Sequence, residues 1–228
     1  MNRPRLLDLF CGAGGAAMGY HQAGFDVTGV DIRPQPRYPF RFVQADAMTY
    51  PLDGFDAIHA SPPCQDHSPL KVNGLHGTGW MLEATMTRLA DQPAPWIVEN
   101  VGTARMRADF LLCGNMFGLR VYRHRKFCLD PRVAQLLALP PHPKHRLPAG
   151  RQKSRAEVES NSILTVTGEL HPAYFPHAAA ALGIDWMAGN ELSQAIPPAY
   201  TEYIGAQLLD ALEFPAQEPA GRGSGGGG

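Results

Sequence analysis

Three short motifs contain the residue types that covalent chemistry on an aromatic ring needs: Pro62-Pro63-Cys64-Gln65, Glu99-Asn100-Val101 and Arg123-His124-Arg125. Cys64 comes soon after the apolar run 55–60, which predicts a buried strand. Because the two prolines fix their own φ angles, the thiol would be held on a stiff turn at the carboxyl end of that strand, where open α/β sheets bind ligands. A lone cysteine can equally be a small core hydrophobe, so its interpretation depends on the other two motifs.

A thiolate, a carboxyl group and an arginine together suit attack on cytosine. The thiolate of Cys64 would add to C6, and C5 would then attack an electrophilic methyl group. Since an ordinary thiol is mostly protonated at neutral pH, nearby positive charge should lower the pKa of Cys64. Glu99 would hydrogen-bond N3 and the exocyclic amine while it holds or shares a proton. Arg125, helped by Arg123, would hold O2 with donors that keep their charge, although solvated surface charge is the alternative for this pair.

A glycine-rich turn near the start of the chain predicts a nucleoside-binding loop. An apolar strand at 5–10 leads into the turn 11–15, followed by a helix at 16–23 and a second strand at 25–30. Asp31 comes 19 positions after Gly12, the distance at which an acid meets ribose hydroxyls in such units. The glycines also fit the loose dinucleotide pattern, so a nicotinamide or flavin enzyme and a purely structural turn are alternatives.

The remaining pattern alternates strands with helices. Strands are predicted at 40–43, with Asp46 soon after its end, at 55–60, at 96–98 and at 163–166, and helices at 80–89, at 178–182 and from 194 onward. This alternation predicts a mostly parallel sheet with helices on both faces. The glycine-rich stretch 65–79 is either a mobile lid or an ordinary surface loop.

Composition limits the class of protein and its partners. The 228 residues are 44% hydrophobic and 18% charged with a net charge of −1, which fits a globular chain that would need a local patch to bind a polyanion. The basic run within 142–155 is the candidate patch, with a solvated loop as its alternative. The four cysteines show neither C-x-x-C pairs nor zinc-like spacing, and we expect no disulfide and no metal. Without an apolar stretch long enough to span a bilayer, we expect a soluble protein of a reducing compartment.

Taken in order, the motifs resemble those of the DNA cytosine C5-methyltransferases, which use S-adenosylmethionine. The run 10–15 resembles the family's F-x-G-x-G-G motif, and Asp31 and Asp46 stand where its acids contact ribose and adenine. The P-P-C-Q motif with Ser68, the E-N-V motif and the R-x-R motif follow in the family's order, and 163–166 and 194–205 resemble its two C-terminal motifs. The last of these closes the cofactor pocket in the family. The dinucleotide alternative has no use for the three catalytic motifs.

Three features depart from the family pattern. Asp31 replaces the commoner glutamate, and Gln194-Ala195 replace a commoner Gly-Asn pair, which would reshape the cofactor site. Only 33 residues separate Phe127 from Asn161, where the family usually inserts a target-recognition domain. The enzyme would therefore methylate duplex DNA with little selectivity, borrow recognition from a partner protein, or act on single strands, RNA or free nucleotides. The Cys-Phe-Thr motif of the tRNA-methylating branch is absent from the sequence, and a non-catalytic binder has no need of Cys64, Glu99 and Arg125 together.

The resemblance implies a Rossmann-like methyltransferase fold of the α/β class. It divides the chain into a catalytic and cofactor-binding core at 1–127, a short basic insertion at 128–160, a part completing the core at 161–214 and a flexible tail at 215–228. The predicted catalytic residues are Cys64, Gln65, Glu99, Asn100, Arg123 and Arg125. The predicted cofactor-binding residues are Asp8, Phe10, Gly12, Gly14, Gly15, Asp31, Ile32, Asp46, Ala47, Pro62, Gln194 and Ala195. The predicted DNA-binding residues are Ser68, Lys71, Lys144, Arg146, Arg151 and Lys153.

The implied reaction transfers a methyl group from S-adenosylmethionine to C5 of cytosine in DNA and leaves S-adenosylhomocysteine. A sulfonium donor that carries another group is an open alternative. We expect a monomer in the cytoplasm of a bacterium or a phage-infected cell, where such enzymes serve restriction–modification or phage DNA modification.

Overall fold

A seven-stranded sheet forms the centre of the protein. The computed structural model describes residues 2–63, 79–134, 138–144, 163–168 and 170–213. The strands are β1 (Arg5–Leu9), β2 (Asp26–Asp31), β3 (Arg41–Gln44), β4 (Ala57–Ala60), β5 (Trp96–Val101), β6 (Phe110–Leu112) and β7 (Arg125–Leu129). They lie in the order β3-β2-β1-β4-β5-β7-β6, and β1 to β5 run parallel, whereas β7 is antiparallel to both β5 and β6. The predicted mostly parallel sheet is confirmed.

Helices cover both faces of this sheet. They are α1 (Gly15–Ala23), α2 (Trp80–Ala90), α3 (Pro131–Ala134), α4 (Phe175–Leu182), α5 (Asn190–Gln194) and α6 (Pro198–Glu213), with short 3₁₀ helices at Gly114–Phe117 and Pro172–Tyr174. Successive strand residues point to opposite faces. Leu6 accordingly packs in the cluster that contains Tyr20 and Ile204, whereas Leu7 packs in the one that contains Leu82. The central strands are therefore apolar on both faces, as parallel strands buried between helices must be.

The last helix returns to the first one and packs directly on it. A Cβ atom on Gly19 would lie 2.1 Å from the carbonyl oxygen of Pro198, so only glycine permits this approach. Thr201 Oγ1 donates a hydrogen bond to the Ala16 carbonyl at 2.8 Å. The C-terminal part is thereby fixed against the helix that follows the glycine-rich turn.

The structure corrects two local predictions. The predicted strand at 163–166 is reduced to a single parallel bridge between Leu164 and Val121. The two arginines of the R-x-R motif do not share one strand, because β7 begins at Arg125 and Arg123 precedes it. Within the described ranges, no helix combines the length and apolarity needed to cross a membrane.

Candidate active site

A cavity of about 420 Å³ opens at the carboxyl ends of the parallel strands. Among the predicted cofactor-binding residues, those that line it are Asp8, Phe10, Gly12, Gly15, Asp31, Ile32, Asp46, Ala47, Pro62, Gln194 and Ala195. Among the predicted catalytic residues, those that line it are Glu99, Asn100 and Arg125. Parallel strands place their carboxyl ends at one edge, which is why residues far apart in sequence meet here.

Gly14 is the predicted cofactor residue that does not line the cavity. It caps the N-terminus of α1 in the left-handed region, with φ of 86°, and its backbone packs against the side chains of Tyr38 and Pro39. Its role in the glycine-rich turn is therefore conformational, since a side chain at this position would be strained and would meet Pro39 at 2.9 Å.

Asp31 shapes the glycine-rich turn from the end of β2. Its Oδ2 accepts a hydrogen bond from the Gly12 amide at 3.0 Å, and its Oδ1 accepts one from the Arg33 amide at 2.9 Å. A carboxylate has about four lone-pair sites, so both oxygens keep capacity for a ligand hydroxyl. Asp46 similarly accepts the Met48 amide at 2.9 Å through Oδ1. Both acids are thus oriented by backbone while facing the cavity.

Asp8, within β1, provides the test of whether a cofactor fits this cavity. Its side chain is fully buried, and neither oxygen has a hydrogen-bond partner among the described residues. Burial, followed by the negative charges of Asp31 and Glu99, raises the pKa of the Asp8 carboxyl well above its ordinary value. A buried carboxyl without a partner is costly unless a ligand supplies one. The ammonium group of the amino-acid portion of S-adenosylmethionine carries such donors, so these residues fit that group.

Glu99 and Arg125 form a buried pair that lines the same cavity. Arg125 Nε lies 2.7 Å from Glu99 Oε1, but that oxygen accepts no aligned hydrogen bond from the described residues, so the contact is an ion pair. The pairing follows from the sheet, because β5 and β7 are adjacent and antiparallel. Burial raises the pKa of Glu99, while Arg125 and then Arg123 oppose that rise. Glu99 therefore retains a proton to higher pH than an ordinary glutamate.

Arg123 does not line the cavity, which corrects its predicted place beside Arg125. Its guanidinium is buried and donates hydrogen bonds to three backbone carbonyls: Nε to Ala195 at 2.9 Å, Nη1 to Val166 at 2.5 Å and Nη2 to Ser193 at 2.7 Å. Burial and the neighbouring Arg125 lower the pKa of Arg123 to about 9. The residues between 187 and 196 that line the cavity form its C-terminal wall. Because Arg123 donates to the carbonyls of Ser193 and Ala195 in this wall, it holds the wall in place.

The C-terminal wall also contains residues that the sequence reasoning missed. Met187, Glu191, Ser193 and Ile196 line the cavity beside the predicted Gln194 and Ala195. Glu191 Oε1 accepts a hydrogen bond from Arg37 Nη1 at 3.0 Å, which links this wall to the loop between β2 and β3. Their only sequence signal is proximity to the C-terminal motif.

A buried chain of polar groups behind Glu99 was missed as well. Tyr20 Oη lies 3.0 Å from His59 Nδ1, and His59 Nε2 lies 2.8 Å from Ser61 Oγ. The side-chain hydroxyl of Ser61 in turn lowers the pKa of Glu99 by hydrogen bonding, against the effect of burial. Burial also lowers the pKa of His59 to about 3, so the imidazole is neutral at physiological pH. The sequence offered a signal, since a histidine inside an apolar strand needs a polar partner.

The described residues before the predicted nucleophile are anchored at Pro62. Asn100 Nδ2 donates a hydrogen bond to the Pro62 carbonyl at 2.9 Å, and Pro62 and Pro63 line the cavity. The predicted residues Cys64, Gln65, Ser68, Lys71, Arg146, Arg151 and Lys153 lie outside the described residues. Lys144 is described and exposed.

Comparison with known proteins identifies the family. No protein-family profile matches the chain. It is 30% identical over 142 residues to the type II methyltransferase M.HgiDI of Herpetosiphon aurantiacus, an alignment that covers 55% of this chain and 46% of that relative. It is also 30% identical over 118 residues to the type II methyltransferase M.HgiGI of the same organism, covering 45% of this chain and 94% of that relative. The chain thus spans less than half of M.HgiDI and nearly all of M.HgiGI.

A solved structure shares the fold over nearly the whole chain. A prophage-encoded protein of E. coli, described as a DNA modification methyltransferase, aligns with a TM-score of 0.62 at 16% identity, over 92% of this chain and 99% of its own. The Rossmann-like methyltransferase fold is thereby confirmed, and the methyltransferase class of the aligned relatives agrees with the predicted cofactor, S-adenosylmethionine. The aligned relatives show that the chain belongs to the family of type II methyltransferases.

Proposed function

We propose that this protein transfers the methyl group of S-adenosylmethionine to C5 of cytosine in DNA, through a covalent bond between Cys64 and C6. The observation that carries the proposal is the Glu99–Arg125 ion pair, which faces the same cavity as the glycine-rich turn. Methylation of an exocyclic amine needs no thiol and no group that protonates the ring. The combination of a proton-holding glutamate, an arginine and the P-P-C-Q motif favours C5 chemistry.

The cofactor side supplies binding and orientation. S-adenosylmethionine provides an electrophilic methyl group on a sulfonium. Asp8 would accept hydrogen bonds from its amino-acid portion, Asp31 would accept them from the ribose hydroxyls, and Asp46 would contact the adenine edge. Each of these residues lines the cavity, and Asp8 lacks a partner among the described residues, as a binding carboxyl would before the ligand arrives.

The base side supplies the proton and the charge. Glu99 protonates N3 of the target cytosine as the Cys64 thiolate adds to C6, which keeps negative charge from accumulating on the ring. Arg125 donates hydrogen bonds to O2 of the target cytosine and so holds the ring in place. C5 then takes the methyl group, water accepts the C5 proton as the thiolate is eliminated and the double bond between C5 and C6 re-forms, and N3 returns its proton to Glu99.

The decisive experiment measures the fate of the C5 proton. Duplex DNA with tritium at C5 of cytosine is incubated with the protein and S-adenosylmethionine, and released tritium is compared with methyl incorporation. The proposal requires one tritium released for each methyl group added. Methyl incorporation without release would instead indicate an amino group of cytosine or adenine and would overturn the C5 assignment.

The nucleophile is tested separately. Cys64→Ala should lower turnover by about 10³-fold or more, because the variant has no thiolate to add to C6 and the other catalytic residues act together with that thiolate. S-adenosylmethionine binding, measured by calorimetry, should change little. Undiminished turnover would exclude the covalent step.

The short insertion keeps a second substrate class open. Only 33 residues separate Phe127 from Asn161, and single strands, RNA or free nucleotides need no base flipping. Parallel assays on duplex DNA, single-stranded DNA, RNA and cytidine nucleotides separate these substrates, and mass analysis of the product nucleoside reveals any group other than methyl.

A further inference from the structure

A cluster of one cysteine and two histidines lies beside the R-x-R motif, outside the proposed active site. Cys113, His124 and His142 each place one potential ligand atom within 4.8 Å of the other two. The Nε2 atoms of His124 and His142 are 3.3 Å apart, and their ring planes are inclined by 28° with centroids 5.4 Å apart. These three residues come from three separate segments of the chain.

The sheet explains why two of these residues meet. β6 and β7 pair antiparallel with Leu112 opposite Arg125. Continuing that register by one position places Cys113 opposite His124. His124 is fixed further by β5, because the Gly102 amide donates a hydrogen bond to the His124 carbonyl at 3.2 Å. The cysteine and the first histidine therefore lie on a rigid framework.

The third residue, His142, lies in the segment 138–144, which is part of the predicted insertion. This segment is attached at its start to α6, where the Ala138 amide donates to Gln207 Oε1 and Tyr203 Oη donates to the Ala138 carbonyl, both at 2.8 Å. His142 forms the second attachment through its contact with His124. Cys113 is buried, whereas His142 is exposed, so the cluster is open to solvent on one side.

The spacing of the nitrogens matches a tetrahedral metal site. Two imidazole nitrogens bound to one zinc ion at about 2.0–2.1 Å lie about 3.3 Å apart, and a thiolate at about 2.3 Å lies about 3.6 Å from each of them. One thiolate and two imidazoles form a donor set that suits zinc. Asn115 Oδ1 lies 3.7 Å from Cys113 Sγ. If the amide group of Asn115 is turned over, its nitrogen would donate a hydrogen bond to the zinc-bound thiolate and stabilise it.

We propose that Cys113, His124 and His142 bind a zinc ion that fastens the insertion to the sheet next to Arg125. Water or another ligand occupies the fourth coordination position. The metal stabilises a segment too short to build a core of its own, as metals do in other small units. This replaces the sequence-based prediction of no metal, which rested on spacing along the chain, whereas the ligands come together through strand pairing.

Metal content and cobalt spectroscopy test the site directly. The purified full chain is stripped with a chelator, reloaded with zinc or cobalt, and dialysed. We expect about one zinc ion per chain. Cobalt should give a near-ultraviolet thiolate charge-transfer band and the intense visible bands of tetrahedral coordination.

The variants are Cys113→Ser and His142→Ala, with His171→Ala as a control on another exposed histidine. His142→Ala should lower zinc affinity by about 100-fold or more and should fold normally, because this side chain is exposed. Cys113→Ser should abolish the charge-transfer band. His171→Ala should behave as the original chain.

The melting temperature and the rate of tryptic cleavage test, without any methyl-transfer assay, whether zinc attaches the insertion to the sheet. Zinc should raise the melting temperature and slow tryptic cleavage after Lys144, two positions beyond His142, in the original chain and in His171→Ala, but not in His142→Ala. Absence of the thiolate band, or equal zinc binding by His142→Ala, would overturn the proposal and leave an ordinary hydrogen bond between the two histidines.

Discussion

The two sides of the cavity are built on different principles. On the side of β1 to β3, the acids at the ends of β2 and β3 are oriented by backbone amides, as when Asp31 accepts the Gly12 and Arg33 amides, whereas Asp8 in β1 has no partner among the described residues. On the side of β5 and β7, the site consists of buried ionisable groups that orient one another. Glu99 is paired with Arg125, and the charge of Arg123 also lowers the pKa of Glu99. The first side follows from local sequence, whereas the second exists only when an antiparallel pair forms. Substitutions should therefore affect binding on the first side and chemistry or folding on the second.

Among the described residues of the cavity, the largest effect is expected at Glu99. Glu99→Gln keeps the shape and can hydrogen-bond the base but cannot transfer a proton, so turnover should fall by about 10²–10⁴-fold. Binding of S-adenosylmethionine and of DNA should change by less than a few fold. Single-turnover kinetics check this, with Glu83→Gln on the exposed face of α2 as the matched control. An equal loss of turnover in Glu99→Gln and Glu83→Gln would contradict a catalytic role for Glu99.

Arg123 tests whether charge on the second side holds the structure. Arg123→Ala removes three charge-assisted hydrogen bonds to the carbonyls of Val166, Ser193 and Ala195. We expect the free energy of unfolding to fall by about 3 kcal/mol or more, since each such bond contributes about 1.5–3 kcal/mol. Urea denaturation measures the change. A variant of unchanged stability that loses only turnover would instead place Arg123 among the groups that act on the base.

Asp8 tests the binding side. Asp8→Asn should weaken S-adenosylmethionine binding by about 10-fold or more, because a charge-assisted hydrogen bond is lost, while turnover at saturating cofactor falls less. Isothermal titration gives the affinity. A change confined to turnover would contradict the division between the two sides.

The same variant has a pH signature in the ligand-free protein. The folded state raises the pKa of Asp8, so folding takes up a proton in the range between the unfolded and folded pKa values, and stability falls as pH rises through that range. Asp8→Asn lacks this contribution. Its melting temperature relative to the original chain should therefore increase steadily from pH 4 upward, and a difference independent of pH would contradict the assignment.

Ser61 tests the polar chain behind Glu99. The serine hydroxyl lowers the pKa of Glu99, so Ser61→Ala should raise it further. If protonated Glu99 is the active form, the alkaline limb of the pH–rate profile should move to higher pH, with a change of less than about 10-fold in maximal turnover. A purely structural role would lower turnover without moving the limb.

The smallest effect is expected at the insertion. Lys144→Ala with Arg146→Ala should weaken DNA binding a few fold and reduce the slope of log affinity against log salt by up to about two, since each phosphate contact contributes about 0.9. Fluorescence anisotropy at several salt concentrations measures the slope. An unchanged slope would exclude this segment from phosphate contact.

Much of the first side could be predicted because its residues directly follow strands that the apolar pattern reveals. Gly12, Asp31 and Asp46 each stand at a strand end or in the turn after it, and all three line the cavity. Glu99 and Arg125 were predicted from residue types and motif order, and their direct contact follows from the pairing of β5 with β7. The predicted nucleophile, the division into segments, the oligomeric state and the cellular location stay predictions.

The sequence by itself determined the order of the elements and the residue types that a methyl transfer needs, because apolar periodicity and motif spacing are local properties. Only the tertiary structure separated Arg123 from Arg125, joined His59 and Ser61 to Glu99, left Asp8 buried without a protein partner among the described residues, and brought Cys113 to the two histidines. Each of these depends on which backbone or side chain lies opposite across the sheet or beneath a returning helix. Long-range pairing leaves no period in the sequence from which it could be read.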